Sequence, residues 1–388
     1  MKYPIYLDNH ATTRVDDRVL AAMTPFYAEQ YGNAASRQHE FGWQAEAAVE
    51  KARLDVAALI GSRPNEIFFT SGATESNNLA LKGLVEAFAP GKQHIITAET
   101  EHPSVLDTCA SLEAYGCTVT RLQVDSNGVV DPDAVRRAIT GKTLVVSIML
   151  ANNEIGTLAS ARDIGRICRE AGVFFHTDAT QAAPFVPLQI NDMTIDLLSL
   201  SGHKFHAPKG IGVLFAREGI SLAVQMDGGG HERGMRSGTL NVPAIVGLGA
   251  ACRIVREECP SYAPKVKALR DTFCAQLLAG CGEMTVNGHP DLRLPNNLSA
   301  TFHGVRADRL MMDVRSVAMA AGSACSSASP SPSHVLRAIG LDRKAIDSTI
   351  RFGLSRFTTA EEVEAAAEFI VEGIRRQRHV LLHAEARP

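Results

Sequence analysis

Just past the middle of the chain stands Ile195-Asp196-Leu197-Leu198-Ser199-Leu200, followed at once by Ser201-Gly202-His203-Lys204-Phe205-His206. The first six residues are almost continuously apolar, and a run of this length and character predicts a β-strand that is covered on both faces. The polar residues that follow then lie at the carboxyl end of that strand. In open α/β sheets this is the edge at which ligands bind.

Four other apolar, β-branched runs have the same character, and helix-like segments separate them. The predicted strands cover residues 67–70, 94–97, 144–149 and 173–176. Among the segments between the runs, residues 44–59 and 161–171 have helical patterns. Strands that alternate with helices indicate βαβ units, and these build a mostly parallel sheet. We therefore expect an α/β fold.

The pattern changes near residues 257–264. The segments that follow are a long helical stretch at 264–278, short strand candidates at 285–286 and 298–302, and a final amphipathic helix at 359–382. This change predicts two domains. Residues 14–258 form the large one, and residues 1–13 and 259–388 form a smaller α+β domain.

Residues 322–333 have an unusual composition. They contain six Ser, two Ala, two Pro, one Gly and the single cysteine Cys325. Such a segment has almost nothing to bury, so we predict that it is a mobile surface loop of the smaller domain.

Composition excludes several classes of protein. Of the 388 residues, 45% are hydrophobic and 21% are charged, which are ordinary globular values and exclude a disordered or fibrous chain. The net charge of −3 gives no general attraction to nucleic acid or to an anionic membrane. No apolar run approaches the ~18 residues of a spanning helix, and no secretory signal is visible. We expect a cytoplasmic protein whose eight cysteines are mostly reduced thiols.

Three of the predicted strand ends carry residues that could do chemistry. Small and hydroxyl residues at 71–76 open a helix, and are either an ordinary N-cap or a cup for an anion. Asp178 follows the strand at 173–176, and is either a structural cap or the counter-charge of a bound cation or protonated ring. Lys204 is a candidate amine nucleophile, since desolvation lowers the pKa of a lysine, although most such lysines extend to solvent. Lys209, in a Pro–Gly turn, is its rival.

These strand ends suit an organic cofactor better than a metal. His176, Asp178, His203 and His206 are ligand types, but Lys204 lies among them and no cysteine has ligand spacing, so we expect no metal. A lysine, an acid and an anion cup are what a pyridoxal 5'-phosphate pocket requires. The lysine attaches the cofactor, the acid keeps the ring nitrogen protonated, and the helix N-terminus binds the phosphate.

A longer set of motifs resembles the cysteine desulfurases of the NifS/IscS type. The motifs are YLDNHATT (6–13), TSGATESNN (70–78), EH (101–102), NNEIG (152–156), HTDATQ (176–181), SGHK (201–204), RGMRSGT (233–239), GSAC (322–325) and IRF (350–352). They occur in the family's order, and the resemblance runs from residue 5 to about residue 375.

The resemblance implies a fold-type-I, pyridoxal-phosphate-dependent transferase with a mostly parallel seven-stranded sheet in its large domain. It implies a homodimer that takes sulfur from L-cysteine and leaves L-alanine. The sulfur would pass to an acceptor protein, such as an iron–sulfur scaffold or a component of a thiolation pathway.

Matched position by position, the resemblance also implies roles for single residues in cofactor binding. Lys204 attaches the cofactor, Asp178 pairs with its ring nitrogen, and Gln181 bonds its ring hydroxyl. His102 stacks on the ring and assists proton transfers. The residues implied for the phosphate are Ala73, Thr74, Ser201 and His203, together with Thr239, which would reach the phosphate of the neighbouring subunit.

For the substrate, the resemblance implies that Asn153 and Arg351 bind the carboxylate, Arg351 as a bidentate fork. Cys325 corresponds to the nucleophile that accepts the sulfur. The chemistry of the residue agrees, because a thiolate that takes sulfur from a buried substrate and hands it on needs a mobile segment.

Two alternatives remain open from the sequence. One is another activity of the same fold, a selenocysteine lyase or an aminotransferase. The other is a protein of the same fold that serves only as a binding subunit. Cys325 argues against an aminotransferase, which needs no loop cysteine, and the presence of Lys204 and Asp178 argues against the binding subunit.

Overall fold

The structure, a computed structural model, describes residues 4–88, 90–321 and 332–385. The strands are β1 (Ile5–Tyr6), β2 (Ile67–Thr70), β3 (His94–Ala98), β4 (Thr118–Leu122), β5 (Thr143–Ser147), β6 (Phe174–Asp178), β7 (Leu197–Ser201), β8 (Gly212–Ala216), β9 (Met284–Asn287), β10 (Asn297–Phe302), β11 (Val317–Ala318), β12 (Ala320–Ala321) and β13 (Thr349–Gly353). The α-helices are α1 (Asp17–Met23), α2 (Pro25–Ala28), α3 (Glu40–Ile60), α4 (Ala73–Phe88), α5 (Pro103–Ala114), α6 (Pro132–Ala138), α7 (Ala161–Ala171), α8 (Val242–Cys281), α9 (Ala307–Asp313), α10 (His334–Ala338), α11 (Arg343–Asp347) and α12 (Ala360–Glu385).

The main sheet of the described residues has seven strands in the order β2-β8-β7-β6-β5-β3-β4. Only β8 runs antiparallel to its neighbours, and the other pairs are parallel. The predicted α/β class and the mostly parallel sheet are therefore confirmed. Strands β6 and β7 are adjacent and parallel, so Asp178 and the segment after Ser201 emerge at the same edge. This edge positions the site described below.

Two strands of this sheet escaped the sequence analysis. Strand β4 lies at an edge of the sheet, and most of its residues are at least partly exposed, so it lacks the apolar run that marked the others. Strand β8 is fully buried and apolar. Its apolar run could therefore have been predicted as a strand, but not its direction, antiparallel to β2 and β7, because periodicity carries no information about strand direction.

A second sheet lies outside the large one and is antiparallel, in the order β12-β13-β10-β9. Strand β1 of the N-terminal segment pairs in parallel with β11. Helix α12 and the second half of α8 pack with these strands in a separate apolar core. Strand β13, which is fully buried and carries Arg351, was not predicted as a strand, although residues 350–352 were quoted as a motif.

The predicted domain boundary at 258/259 falls inside one continuous helix. Helix α8 begins at Val242 and ends at Cys281, with Pro260 and Pro264 inside it. Its buried residues up to Val255 belong to the core of the large sheet, and those from Val266 belong to the second core. The division into two domains stays a prediction, and these separate cores support it.

No helix in the described ranges combines the length and the apolar character that crossing a lipid bilayer requires.

Helices α3 and α8 pack tightly against each other beneath the large sheet. Helix α3 begins after His39, whose ring accepts a hydrogen bond from the Gly42 N–H, and ends at Gly61, which has a left-handed φ of 74°. At their crossing, Gly249 of α8 faces Ala52 of α3. A Cβ at Gly249 would lie 2.6 Å from the Ala52 Cα and 2.7 Å from its Cβ. The helix spacing therefore depends on a glycine at this position.

We expect Gly249→Ala to destabilise the protein. The added methyl group forces the two backbones apart, and overpacking of this kind costs about 1–3 kcal/mol, of which better helix propensity offsets about 1 kcal/mol. The control is Gly141→Ala, because a Cβ there meets no heavy atom within 4 Å. Urea unfolding followed by far-ultraviolet circular dichroism would compare the two. Equal unfolding midpoints for the two variants would show that the crossing tolerates the methyl group.

Candidate active site

A cavity of about 570 Å³ opens at the carboxyl edge of the large sheet. Such a volume is typical of sites for cofactors and small ligands. Eight of the nine residues expected to bind the cofactor line it, namely Ala73, Thr74, His102, Asp178, Gln181, Ser201, His203 and Lys204. Asn153, expected to bind the substrate, lines it as well. The structure thus brings together residues from five separate stretches of the chain.

Lys204 lies in the single turn of 3-10 helix that follows β7. Its Nζ donates hydrogen bonds to the carbonyl oxygens of His10 at 2.6 Å and Ala11 at 2.8 Å. These acceptors belong to the N-terminal segment, which crosses the end of the sheet. Lys209 also borders the cavity but is exposed, whereas Lys204 is partly buried. Lys204 is therefore the better placed of the two candidate amines.

Asp178 ends strand β6 and is 5% exposed. One carboxylate oxygen accepts a hydrogen bond from Asn77 Nδ2 at 2.9 Å, and the other accepts one from the Thr180 N–H at 2.9 Å. Asn77 lies on α4 and also donates to Ser104 Oγ at 2.9 Å. Two donors from different elements hold this carboxylate in one orientation, as a counter-charge to a protonated ring requires.

The N-terminus of α4 forms one wall of the cavity. The N–H groups of its first turn, from Ala73 onward, have no acceptor within the helix and favour an anion. Gly72 precedes the helix with a φ of 153°, and a Cβ there would lie 3.6 Å from Ser201 Oγ. The acid of this turn, Glu75, is neutralised by Arg236 at 2.7 Å. Donors and shape both fit a phosphate group.

Two histidines at the cavity have defined hydrogen-bonding roles. Nδ1 of His102 accepts from the Ser104 N–H at 3.1 Å and so caps α5. Nδ1 of His203 bonds Thr12 Oγ1 at 3.1 Å. Burial, followed by the charges of Lys204 and Lys209, lowers the pKa of His203 to about 4. His203 is therefore neutral at physiological pH.

Two of the expected site residues, Arg351 and Thr239, do not belong to the lining of the cavity. Arg351 is 1% exposed, and its guanidinium donates to the Asn153 carbonyl at 3.1 Å and to Asp8 at 3.0 Å. Among the described residues its Nε has no acceptor. Thr239 is exposed and does not belong to the cavity lining. Cys325 lies outside the described residues.

The predicted mobile loop at 322–333 is described only at its last two residues, Pro332 and Ser333, so its mobility stays a prediction. Ser333 is 3% exposed, and its Oγ accepts from the Leu336 N–H at 3.1 Å, capping α10. The same hydroxyl donates to Glu154 at 2.5 Å. Glu154 follows Asn153, so the end of the loop is anchored to the cavity wall.

Sequence reasoning missed Glu101, which is 0% exposed beneath the cavity. Its Oε1 accepts from the Met149 N–H at 2.6 Å, and its Oε2 has no partner among the described residues. Burial and, to a smaller extent, the charge of Asp178 raise the pKa of Glu101 well above its usual range. Both causes favour the protonated form of this side chain. No sequence signal distinguishes it from an ordinary surface acid, except its place beside His102.

His10 was quoted within a motif but assigned no role. It is 1% exposed and lies between two amide side chains, Gln181 and Asn297. No periodicity of the sequence reveals this burial, because His10 lies in a turn of the N-terminal segment.

Comparison with known proteins shows the class to which this fold and site belong. The class-V aminotransferase family profile matches residues 5–366. A solved NifS-like protein superposes with a TM-score of 0.90 at 39% identity, covering 96% of this chain and 99% of that one. A structure described as SspA in complex with cysteine superposes with a TM-score of 0.82 at 37% identity, covering 91% of this chain and 99% of that one. The chain belongs to the class-V aminotransferases, a family of pyridoxal-phosphate-dependent enzymes.

Curated relatives narrow the assignment within that family. The cysteine desulfurase IscS of Anaeromyxobacter sp. (strain Fw109-5) is 50% identical over 382 residues, which are 98% of this chain and 95% of that protein. The human cysteine desulfurase is 46% identical over 379 residues, 97% of this chain and 83% of that protein. The resemblance to NifS/IscS-type cysteine desulfurases is confirmed.

We expect Glu101→Gln to stabilise the protein increasingly as pH rises. The raised pKa means that folding favours the protonated acid, so the wild type loses stability as pH rises above the pKa of the unfolded glutamate, about 4.3, toward that of the folded one. Glutamine keeps the acceptor for the Met149 N–H without this loss. Thermal unfolding of both proteins from pH 4 to pH 9 would show a growing advantage for the variant. A difference that stays constant with pH would mean that Glu101 is ionised in the fold.

Proposed function

We propose that this pyridoxal-phosphate-dependent cysteine desulfurase uses Lys204, Asp178, His102 and Cys325 to convert L-cysteine to L-alanine, leaving the sulfur on Cys325 as a persulfide. The observation that carries the proposal is the meeting of Lys204, Asp178 and the α4 N-terminus at one cavity. Each supplies one thing that the cofactor needs: a point of attachment, a counter-charge for the ring nitrogen, and donors for the phosphate. The solved cysteine complex of a 37% identical protein also supports the substrate.

When bound, pyridoxal phosphate supplies an electron-accepting ring that labilises bonds at the substrate α-carbon. Asp178 holds the proton on the ring nitrogen, and its bonds to Asn77 and Thr180 keep it facing the ring. Ala73, Thr74, Ser201 and His203 hold the phosphate. His102 stacks on the ring and, since its Nδ1 accepts from Ser104, uses Nε2 for proton transfers.

Lys204 binds the cofactor and afterwards moves protons at the substrate. Its amine donates hydrogen bonds to two backbone carbonyl oxygens. These acceptors are uncharged, so they hold the amine without forming an ion pair with it. Gln181 donates to the ring hydroxyl. Thr239 binds the phosphate of a second copy of the chain. Its exposure, away from the lining of the cavity of its own chain, is consistent with this role.

Asn153 and Arg351 bind the carboxylate of the substrate. In the structure the Arg351 guanidinium already touches the Asn153 backbone, and its Nε lacks an acceptor within the described residues. A substrate carboxylate can satisfy that nitrogen and share the guanidinium with Asp8.

Cys325 removes the sulfur. Its thiolate attacks the sulfur of the bound cysteine, an S–S bond forms as the substrate C–S bond breaks, and the electron pair left on carbon takes a proton to give alanine. The persulfide then passes to an acceptor protein, of the kind that serves iron–sulfur cluster assembly or thiolation. Ser333, which follows Cys325 in the sequence, is anchored to Glu154 beside the proposed substrate residue Asn153.

The protein acts as a cytoplasmic homodimer. Large aromatic residues at positions 27–43 support the association, since Tyr27, Tyr31, Phe41 and Trp43 are 45–66% exposed and the rings of Tyr31 and Phe41 contact each other at 5.3 Å. Monomeric proteins rarely leave several such side chains together in water.

Lys204→Ala should abolish covalent attachment of the cofactor. After loading with pyridoxal phosphate and reduction with borohydride, mass spectrometry should find a pyridoxyl group on the peptide that contains residue 204 in the wild type and none in the variant. Lys209→Ala is the control, and its residue 204 should be labelled as in the wild type. A label on residue 209, or on any other lysine, would reassign the attachment site.

Cys325→Ser should lower alanine release from L-cysteine by on the order of 100-fold, because a serine hydroxyl is scarcely ionised at neutral pH whereas a thiol is a few per cent thiolate. Binding of the cofactor, followed by its visible absorption, should be unchanged. The matched control is Cys274→Ser, the same substitution in helix α8 outside the lining of the cavity. This variant should release alanine at the wild-type rate. Full activity of Cys325→Ser, with radiolabelled sulfur on another cysteine, would contradict the assignment.

A further inference from the structure

His10 is a buried titratable residue to which the proposed chemistry gives no role. Its Nδ1 lies 2.9 Å from Gln181 Oε1, and its Nε2 lies 3.1 Å from Asn297 Nδ2. Burial, and then the positive charges of Arg351, Lys204 and Arg293, lower the pKa of His10 to about 3. A neutral imidazole has one N–H donor and one acceptor, so the neighbours decide which nitrogen carries the proton.

The direction of the hydrogen bonds follows from Arg293, which can only donate. It donates to Asn297 Oδ1 at 3.0 Å, so Nδ2 is the other end of that amide. This Nδ2 donates to the Glu154 carbonyl at 3.1 Å and to His10 Nε2. His10 Nε2 is therefore the acceptor, and Nδ1 carries the hydrogen.

The same reasoning sets the orientation of Gln181. Because His10 Nδ1–H donates, the Gln181 atom that faces it is the amide oxygen. The Gln181 Nε2 donates to the backbone carbonyl of His10 at 3.0 Å. His10 thus contacts both ends of one amide. The second N–H of Gln181 has no protein acceptor in the described part of the chain, and Gln181 lines the cavity.

The ring of His10 is also held by packing. A Cβ on Gly353 would lie 2.7 Å from His10 Cδ2, so the ring fills the space beside that glycine. The carbonyl of His10 accepts from Lys204 Nζ as well. One residue of the N-terminal segment therefore touches both the attachment lysine and Gln181.

We propose that His10 is a positioning residue, which clamps the Gln181 amide so that an N–H, rather than the amide oxygen, faces the ring oxygen of the cofactor. This inference rests on the proposed function. An N–H directed at that oxygen stabilises its deprotonated form and so lowers the pH at which the cofactor titrates. Without the imidazole, the buried Gln181 Oε1 has no donor, and the side chain turns away to find one.

The test is a titration of the visible absorption of the cofactor in the loaded enzyme. His10→Leu removes the donor and should raise the titration midpoint by about one pH unit. His10→Asn places a side-chain N–H where Nδ1 stood and should restore the wild-type midpoint. If His10→Leu fails to fold, His10→Met, whose flexible apolar side chain adapts to irregular space, takes its place.

Two further variants separate a clamp from a general disturbance. Gln181→Ala should raise the midpoint as His10→Leu does, and the double variant should show no additional shift, since both changes remove one hydrogen bond. The control is His94→Leu, which deletes another buried histidine with two hydroxyl partners, at the opposite end of the sheet strands. It should titrate as the wild type does.

The outcomes distinguish this inference from the proposed function. A wild-type midpoint in folded His10→Leu or His10→Met would overturn the clamp, as would additive shifts in the double variant. A midpoint shift in His10→Asn as large as that in His10→Leu would also overturn the clamp. A wild-type protein that shows no lysine-bound cofactor band at all would instead refute the proposed function, whatever the variants do.

Discussion

The site depends on the contact between the Lys204 amine and the carbonyl oxygens of His10 and Ala11. A lysine at a strand end would otherwise extend into solvent, because its charge is poorly tolerated in an apolar core. The N-terminal segment supplies the acceptors that keep it inside. That segment is held to the lysine turn by further bonds, in which Thr13 donates to the His203 carbonyl and accepts from the His206 N–H. The lysine and the segment therefore hold each other in place.

The three histidines around this contact carry no charge at neutral pH. His203 and His206 have pKa values lowered to about 4, chiefly by burial, and His10 has one lowered to about 3. All three are neutral near pH 7, so they add no positive charge beside Lys204 at the sheet edge. Burial and, to a smaller extent, the nearby charge of Asp178 disfavour the anion of Glu101 and raise its pKa well above its usual range.

A second chain of contacts connects the segment before α10 with the substrate side of the cavity. The Ser333 hydroxyl donates a hydrogen bond to the Glu154 carboxylate. Asn153 directly precedes Glu154 in the chain, and the Arg351 guanidinium donates to the Asn153 carbonyl. Asn297 reaches the same stretch through the Glu154 carbonyl and continues to His10. Ser333, Glu154, Asn297 and His10 therefore belong to one connected set of polar contacts. Such buried polar networks are rigid only while every member has its partner.

The sequence by itself determined the fold class and the chemistry of the strand ends. Apolar runs such as Leu197–Ser201 and the polar residues after them are local features, and the place of ligands in parallel sheets follows from topology alone. Lys204, Asp178 and the α4 N-terminus could thus be predicted as candidate site residues, each with an alternative left open, and motif resemblance added His102, Asn153 and Arg351 as further predictions. Only the tertiary structure decided the edge strand β4, the reversed strand β8, the anchoring of Ser333 and the roles of His10 and Glu101. Each of these depends on contacts between residues far apart in the chain. Residue 10 meets residues 181, 204 and 297, and no local pattern encodes such a meeting.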